Sequence, residues 1–307
     1  TILHRVAAQA VHPEAPLELM PPDVPHSCSR GNLSWALAMW IVGVSNQDQA
    51  LCGAKQWSRF APAAWTLVFV HNSDTPELVD MLPAELGGSK HRFLDLPSLQ
   101  QRVKAPSAPS RSLLFKRSEL AIVASKILAW TLVEYDRVLL VDTDIFISRH
   151  PFSWLSCSML EYTENPEAVV ATKACHTHFN SGFVLFKPNM TVARRLVEMS
   201  RYNLRRSCEL SLGDQTILNN VTRHWRVVEA IQHLHYRSYN PHAQGEYRQI
   251  HHHPRPVVHF VGPLKPYSWF TSCAGNWTAM LVGPESSPIP IHTNQSGRMR
   301  VRPPTHD

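Results

Sequence analysis

The stretch RVLLVDTDIFI, residues 137–147, decides the fold of this chain. Val138 to Val141 is continuously apolar, which predicts a strand buried on both faces of a parallel sheet. Asp142 and Asp144 follow it, and because alternate side chains of an extended chain share a face, both carboxylates point the same way. Ligands of open α/β sheets bind beyond the carboxyl ends of the strands. The stretch therefore predicts a Mg²⁺ or Mn²⁺ site that leaves coordination positions for phosphate oxygens.

Strand-like and helix-like segments alternate around this stretch, which predicts a single α/β domain with a mostly parallel twisted sheet flanked by helices. The predicted strands are Trp35 to Val44, residues 65–72, residues 91–96, EAVVATKA, HFNSGFVLFKP and residues 257–262. The predicted helices are QDQALCGAKQWSRF, PELVDML, Ser118 to Trp130 with Ser118 as its cap, Thr191 to Tyr202, and the segment opened by GDQTILNN. We expect this domain to cover residues 34–270, between a Pro-rich N-terminal extension (1–33) and a loose C-terminal tail (271–307).

Composition excludes several classes of protein. With 307 residues, 44% of them hydrophobic, the chain can bury one sizeable core and is not disordered throughout. The net charge of +6 comes from scattered residues rather than a Lys/Arg run, so we expect no nucleic-acid partner. No segment reaches the ~18–20 apolar residues that span a bilayer, so we expect membrane attachment only through a segment absent from this chain.

Cysteines and glycosylation sequons bear on the compartment. The six cysteines form no C-x-x-C pair, which argues against a zinc site and leaves disulfides open, although Cys52 could also be a buried thiol. Five N-x-S/T sequons begin at Asn32, Asn189, Asn220, Asn276 and Asn294. Together they favour the lumen of the secretory pathway, specifically the Golgi, with the cytoplasm as the alternative.

Four motifs occur in a fixed order along the chain: DTDIF (142–146), HFNSGFVLFKP (178–188), GDQTILNN (213–220) and VVHFVGPLKPYSW (257–269). As a set they resemble the glycogenin-like retaining glycosyltransferases of family 8. The resemblance covers roughly residues 36–270. It implies a nucleotide-sugar-binding domain of the GT-A type, a UDP-sugar donor, and Mn²⁺ as the metal, with Mg²⁺ as the alternative.

The resemblance also implies roles for individual residues. Asp142, Asp144 and His259 would hold the metal, and Asp214 and Gln215, with Lys126, would be the catalytic residues near the donor sugar. The implied donor-binding residues are Ser45, Asn46, Arg117, Lys126, Thr143, Asn180, Ser181, Gly182, Asn240, Gly262 and Lys265.

Structural alternatives stay open for some of these positions. His259 could be a packed strand histidine, and Asp214 could be a helix N-cap after Gly213. Arg117 and Lys126 could be solvated helix charges.

The resemblance implies a metal-dependent retaining hexosyltransferase that moves a sugar from a UDP-sugar to a glycan or glycoprotein acceptor. Ser211 stands where glycogenins carry an acidic residue, so the donor sugar stays open. Retention of configuration is compatible with a covalent intermediate or with front-face attack.

Three other functions remain as alternatives: a glycogenin-like self-glucosylating primer, a non-catalytic sugar-binding protein, and a haloacid-dehalogenase-type phosphatase. The phosphatase family also has an apolar strand that ends in Asp-x-Asp. In this chain, however, the motif lies mid-chain and Ile145 replaces the glycine usual after the second aspartate.

Overall fold

The computed structural model describes residues 33–42, 47–73, 75–104, 124–147, 152, 155–175, 178–200, 213–222, 224–228, 231–235, 257–261, 291–293 and 299–301. The helices are α1 (Gln47–Phe60), α2 (Pro76–Glu85), α3 (Leu96–Arg102), a 3-10 helix (Ser125–Thr131), α4 (Cys157–Tyr162), α5 (Met190–Met199) and α6 (Asp214–Val221). The strands are β1 (Trp35–Trp40), β2 (Thr66–His71), β3 (His91–Asp95), β4 (Arg137–Val141), β5 (Ile145–Ile147), β6 (Ala168–Cys175), β7 (His178–Phe186), β8 (His224–Val227), β9 (Ile231–His235), β10 (Val257–Val261), β11 (Ile291–Thr293) and β12 (Met299–Val301).

The main sheet has seven strands in the order β3-β2-β1-β4-β7-β6-β8. The first four are mutually parallel, whereas β7 runs antiparallel to both β4 and β6, so the sheet is mixed but mostly parallel. Met39 pairs with Val141, which places the carboxyl ends of β1 and β4 side by side. The Asp-x-Asp segment therefore leaves the sheet at the edge where ligands of α/β proteins bind.

Helices cover both faces of this sheet. All six residues of β1 are buried, and its alternate side chains enter two different hydrophobic clusters. One cluster includes α1 and α2 through residues such as Trp57 and Leu78. The other includes α3, the 3-10 helix, α5 and α6 through residues such as Trp130, Leu196 and Ile217. This layering confirms the α/β architecture expected from the sequence.

A second sheet has three strands in the order β5-β10-β9 and contains His259, the site residue that comes last in the sequence among those described. Strand β5 begins at Ile145, immediately after Asp144, and runs antiparallel to β10. His259 is paired with Ile145 in this register. The short strand β5 thus brings a residue from far along the chain next to the Asp-x-Asp segment.

Of the predicted amphipathic helix Ser118 to Trp130, residues 118–123 lie outside the described residues, Ala124 is α-helical, and the prediction is wrong for residues 125–130. Residues 125–131 form a 3-10 helix, and no side chain caps its start at Ala124. Four consecutive residues, Ile127 to Trp130, are buried, and Trp130 stacks on Phe186 at 3.7 Å between ring centroids. Packing of the whole turn into the core therefore overrides the helical periodicity.

Several further elements differ from the sequence predictions. Strand β1 ends at Trp40 rather than at Val44, and α4, β8 and β9 lie where the sequence predicts no element. The third strand ends at Asp95, whose carboxylate accepts a hydrogen bond from the Ser98 backbone at 3.2 Å and so caps the unpredicted α3. Within the expected loose tail, β11 and β12 pair antiparallel. None of the helices in the described ranges combines the length and apolar character needed to cross a bilayer.

Two cysteines of the described residues form disulfide bonds. Cys52, which is fully buried in α1, and Cys157, the first residue of α4, are both in disulfide bonds. The alternative that Cys52 is a free buried thiol is therefore wrong.

Candidate active site

The structure brings Asp142, Asp144 and His259 together. The imidazole Nε2 of His259 lies 3.2 Å from Asp144 Oδ1 and 3.7 Å from Asp142 Oδ2. The β5–β10 pairing is responsible, because it places His259 opposite the residue that follows Asp144. The His259 side chain is only 4% exposed, but its ring lies against two carboxylates as well as the core. A histidine that served only to pack the strand would not need these carboxylate contacts.

This group of side chains fits a divalent metal ion. One ligand atom from each residue can be chosen so that all three lie within 4.8 Å of one another, and among the described residues no other such group of three occurs. Neighbouring ligand atoms of an octahedral ion, each about 2.1 Å from the metal, are about 3 Å apart. The 3.2 Å contact between Asp144 and His259 is close to that spacing. Two carboxylates and one imidazole suit Mn²⁺ better than a cation that takes oxygen ligands alone.

Gly182 of β7 lies directly against this group of three side chains. A Cβ atom added to Gly182 would lie only 2.2 Å from Cε1 and 2.8 Å from Nε2 of His259. The carbonyl oxygen of Gly182 also accepts a hydrogen bond from the backbone N–H of Asp142 at 2.8 Å. The sequence resemblance implied close approach of a donor sugar at Gly182. The structure shows that the missing side chain also makes room for His259.

Lys126, in the 3-10 helix, points into the site. Its ammonium forms an ion pair with Asp142 Oδ1 and lies 3.7 Å from Asp214 Oδ2. The side chain is only 12% exposed, so the alternative of a solvated helix charge is wrong for Lys126. Burial alone would lower the pKa of Lys126, but attraction to Asp142 and then to Asp214 outweighs it and raises the pKa above its ordinary value.

Asp214 is the first residue of α6, and the N-cap position belongs to Gly213, so the N-cap alternative for Asp214 is wrong. The φ of Gly213 is 136°, a conformation that favours glycine. Asp214 is 3% exposed, and burial raises the pKa of its carboxyl group while the positive charge of Lys126 opposes that rise. Ser181 and the Gln215 backbone also oppose the rise in the pKa of Asp214.

Strand β7 and helix α6 are joined by an amide that sequence reasoning missed. Asn219 Oδ1 accepts from the Phe179 N–H at 3.0 Å, and Asn219 Nδ2 donates to the Phe179 carbonyl at 2.9 Å. Beside it, the Asn180 side chain accepts from the Gly182 N–H at 2.7 Å. These bonds fix α6, with Asp214 at its start, relative to the Asn-Ser-Gly segment of β7.

Two buried glutamines of α1 were also missed. Gln49 Nε2 donates to the hydroxyl of Thr143, between the two aspartates, at 2.8 Å, and Gln56 Oε1 accepts from the Ile147 N–H at 2.8 Å. The only sequence signal was a pair of glutamines seven positions apart in an otherwise apolar helix face.

The structure thus gathers ten of the sequence-predicted residues into one region: Lys126, Asp142, Thr143, Asp144, Asn180, Ser181, Gly182, Asp214, Gln215 and His259. Six others lie outside the described residues: Ser45, Asn46, Arg117, Asn240, Gly262 and Lys265.

Sequence comparison identifies a known family. Residues 97–271 match the family described as Glycosyl transferase family 8. Glycogenin-1 of Homo sapiens is 24% identical over 161 residues, which cover 51% of this chain and 43% of that protein. Glycogenin-1 of Caenorhabditis elegans is 25% identical over 166 residues, which cover 52% of this chain and 35% of that protein. The chain thus matches less than half the length of these two relatives.

Solved structures share the fold. Apo mouse xyloside xylosyltransferase 1 superposes with a TM-score of 0.51 at 16% identity, covering 76% of this chain and 100% of that one. The apo glycosyltransferase GlyE of Streptococcus pneumoniae TIGR4 gives 0.54 at 15% identity, covering 81% and 62%. The galactosyltransferase LgtC, solved with donor and acceptor sugar analogues, gives 0.50 at 16% identity, covering 78% and 95%. These likenesses establish a GT-A-type fold, and the family match decides against a haloacid-dehalogenase-type phosphatase.

Proposed function

The chain belongs to glycosyltransferase family 8, and from that premise we propose that it is a metal-dependent retaining hexosyltransferase that uses a UDP-sugar donor. Its acceptor would be a glycan or a glycoprotein. The observation that carries the proposal is the convergence of Asp142, Asp144 and His259 at the carboxyl end of β4. A divalent ion, Mn²⁺ with Mg²⁺ as the alternative, would be held by these three side chains. When bound, such an ion supplies positive charge that stabilises a diphosphate leaving group.

Charge balance in the site supports binding of a cation. Three carboxylates, those of Asp142, Asp144 and Asp214, face one ammonium, that of Lys126. The raised pKa of Lys126 keeps its ammonium protonated at neutral pH. It would therefore hold Asp142 in place and present positive charge towards the donor's phosphates and sugar.

Asp214 and Gln215 would act on the sugar side. Asp214 is buried at the start of α6, and its Oδ2 lies 3.7 Å from the Lys126 ammonium. A carboxylate fixed in this way stabilises the positive charge that develops at the anomeric carbon, whether attack is covalent or from the front face. The side chain of Gln215, which is 7% exposed, would contribute a polar contact in the same place. The donor sugar would contact β7 at three residues, Asn180, Ser181 and Gly182.

The secretory pathway, specifically the Golgi lumen, is the proposed compartment. Disulfide bonds at Cys52 and Cys157 persist in oxidising compartments and are rare in the cytosol. The five sequons support the same compartment.

A glycogenin-like self-glucosylating primer is a second candidate, because the matched curated relatives include glycogenins. The two candidates differ in where the sugar goes. After incubation with UDP-glucose and Mn²⁺, a primer would gain mass in units of one hexose. A transferase that acts on a separate acceptor would keep its own mass.

Release of UDP from a panel of UDP-sugars tests the main proposal. We expect turnover of one donor with Mn²⁺, none after chelation, and none in Asp142→Asn or His259→Ala. Lys55→Ala is the matched control, because Lys55 pairs with Glu85 on the exposed side of α1 and should retain wild-type turnover. Turnover that persists in chelator, or in both site variants, would refute metal dependence at these residues.

A further inference from the structure

One face of α1 contacts residues 143–147, the segment that follows Asp142 and includes Asp144, at both ends of that segment. Gln49 donates to the Thr143 hydroxyl at 2.8 Å, and Gln56 accepts from the Ile147 N–H at 2.8 Å. Between them, Gly53 lies so close that an added Cβ would be 3.3 Å from the Thr143 carbonyl oxygen. Positions 49, 53 and 56 follow the i, i+4, i+7 spacing of one helix face. This face therefore runs along the whole of residues 143–147.

Core packing does not explain two glutamines on this face. Gln49 is 8% exposed and Gln56 is 6% exposed, so each amide loses nearly all its contact with water. A buried amide is costly unless its hydrogen bonds are made inside the protein, whereas leucine or methionine would fill the same volume without that cost. Gln56 uses both ends of its amide, because its Nε2 also donates to Cys52 Sγ at 3.3 Å. The hydrogen bonds, rather than apolar burial, are what these side chains contribute.

The two bonds act on different parts of the metal site. Gln49 holds the residue between Asp142 and Asp144. Gln56 holds β5, the strand whose pairing with β10 places His259 beside Asp144. We propose that Gln49 and Gln56 are positioning residues that fix the two aspartates relative to His259 and thereby set the affinity for Mn²⁺. This inference rests on the proposed metal-dependent function.

Methionine substitutions remove the amides while keeping the side-chain volume. In Gln49→Met and Gln56→Met we expect the affinity for Mn²⁺ to fall about ten-fold, the lower end of the effect of losing a group that orients a metal ligand. Thr143→Val breaks the Gln49 bond from its other side, whereas Thr143→Ser keeps the hydroxyl and should lose clearly less affinity than Thr143→Val. Because Gln49 and Thr143 share one bond, the double variant Gln49→Met/Thr143→Val should lose no more affinity than either single variant.

The test measures Mn²⁺ binding directly, by the electron paramagnetic resonance signal of free Mn²⁺ at saturating UDP. Lys55→Met is the matched control on the exposed face of α1. Thermal unfolding in chelator identifies any variant that is misfolded. Should Gln49→Met fail to fold, the comparison of Thr143→Val with Thr143→Ser carries the test.

Three outcomes are separable. A ten-fold loss in the methionine and valine variants, with Lys55→Met unchanged and Thr143→Ser clearly less affected than Thr143→Val, supports the positioning role. Wild-type affinity in folded Gln49→Met and Gln56→Met, or in folded Thr143→Val, would overturn it while leaving the proposed function intact. Absence of Mn²⁺ binding by the folded wild-type protein would overturn both.

Discussion

Gly182 is the residue on which the position of His259 depends most directly. An added methyl group would overlap the imidazole, at 2.2 Å from Cε1, and would also lie 2.9 Å from Asn180 Oδ1. Both neighbours are buried, so neither can move aside into solvent. For Gly182→Ala we expect a loss of about 1–3 kcal/mol in the free energy of unfolding, as for other overpacked cores, together with weaker Mn²⁺ binding. Urea denaturation and a Mn²⁺ titration measure the two effects.

The overlap can be relieved from the other side. In a His259→Ala background, Gly182→Ala should cost clearly less stability, because the ring that it strikes is gone, while Mn²⁺ binding stays lost. An equal cost in both backgrounds would show that His259 is not what constrains Gly182.

For individual residues, the sequence predicts the metal-binding side chains better than it predicts the residues that hold them in place. Asp142, Asp144 and His259 are found because carboxylates and an imidazole stand in motifs with a fixed order. The contact of Gly182 with His259 joins strands of two different sheets, and no local pattern encodes such a contact. The roles of Gln49 and Asn219 are not predicted for the same reason, because their hydrogen-bond partners lie 94 and 40 positions away in the sequence.

Asn219 anchors the helix that begins with Asp214. Its amide makes hydrogen bonds to both backbone groups of Phe179 and to the Gln215 carbonyl at 2.8 Å. Asn219→Ala would leave the Phe179 groups without these partners, and we expect it to cost about 2 kcal/mol in the free energy of unfolding. The turnover number should also fall, because α6 would no longer be held against β7. Urea denaturation and UDP-release kinetics provide the measurements.

The neighbouring residue provides a matched control. Asn220 is exposed, and within the described part of the chain its amide bonds only to the Thr216 carbonyl of the same helix. In protein produced without N-glycosylation, so that the sequon at Asn220 carries no glycan, Asn220→Ala should therefore change stability by about 0.5 kcal/mol or less. Equal losses for the two alanine variants would contradict the anchoring role of Asn219.

Asp136 ties the starts of β1 and β4 together and makes stability depend on pH. The backbone N–H of Ser34 donates to its carboxylate at 2.7 Å and the Ser34 hydroxyl at 2.8 Å. The backbone hydrogen bond is the largest influence; burial opposes it, the hydroxyl reinforces it, and the pKa of Asp136 ends below its ordinary value. This stabilisation is fully present above the ordinary pKa of aspartate, about 3.9, and is lost as pH falls through the lower pKa of the folded state.

Asp136→Asn should therefore unfold at a lower urea concentration than wild type near neutral pH. The difference should shrink below about pH 4, as the wild-type carboxylate takes up its proton. A difference in urea midpoint that stays constant down to pH 3 would rule out this explanation.

Among secondary structure elements, helix α1 is predicted with its exact bounds, and several buried strands are predicted to within two residues at each end. Strands β2, β4 and β7 combine apolar runs with clear ends, and the structure places them as expected. The 3-10 helix differs from the amphipathic helix that the sequence predicts, because Ile127 to Trp130 are all buried by neighbours distant in sequence. Strand β5 has only three residues, too few for a periodic pattern, yet it connects the two sheets of the site.

At the scale of the whole molecule, the disulfide bonds contribute to stability against unfolding. Cys52 is in α1 and Cys157 opens α4, so reduction should loosen constraints on both helices. Loss of a native disulfide commonly costs about 2–5 kcal/mol, and we expect a lower thermal unfolding midpoint in reductant. Mass spectrometry of a non-reduced digest should show both cysteines oxidised. Free thiols at Cys52 and Cys157 in protein from an oxidising compartment would contradict the structure.

The affinity for UDP, measured by calorimetry with and without Mn²⁺, tests the central claim most directly. The account predicts that Mn²⁺ tightens UDP binding at least ten-fold in the wild type and has no effect in Asp144→Asn, whose folding should be unchanged. UDP affinity that does not respond to Mn²⁺ in the wild type, or that responds equally in Asp144→Asn, would contradict a metal-dependent nucleotide-sugar site at Asp142, Asp144 and His259.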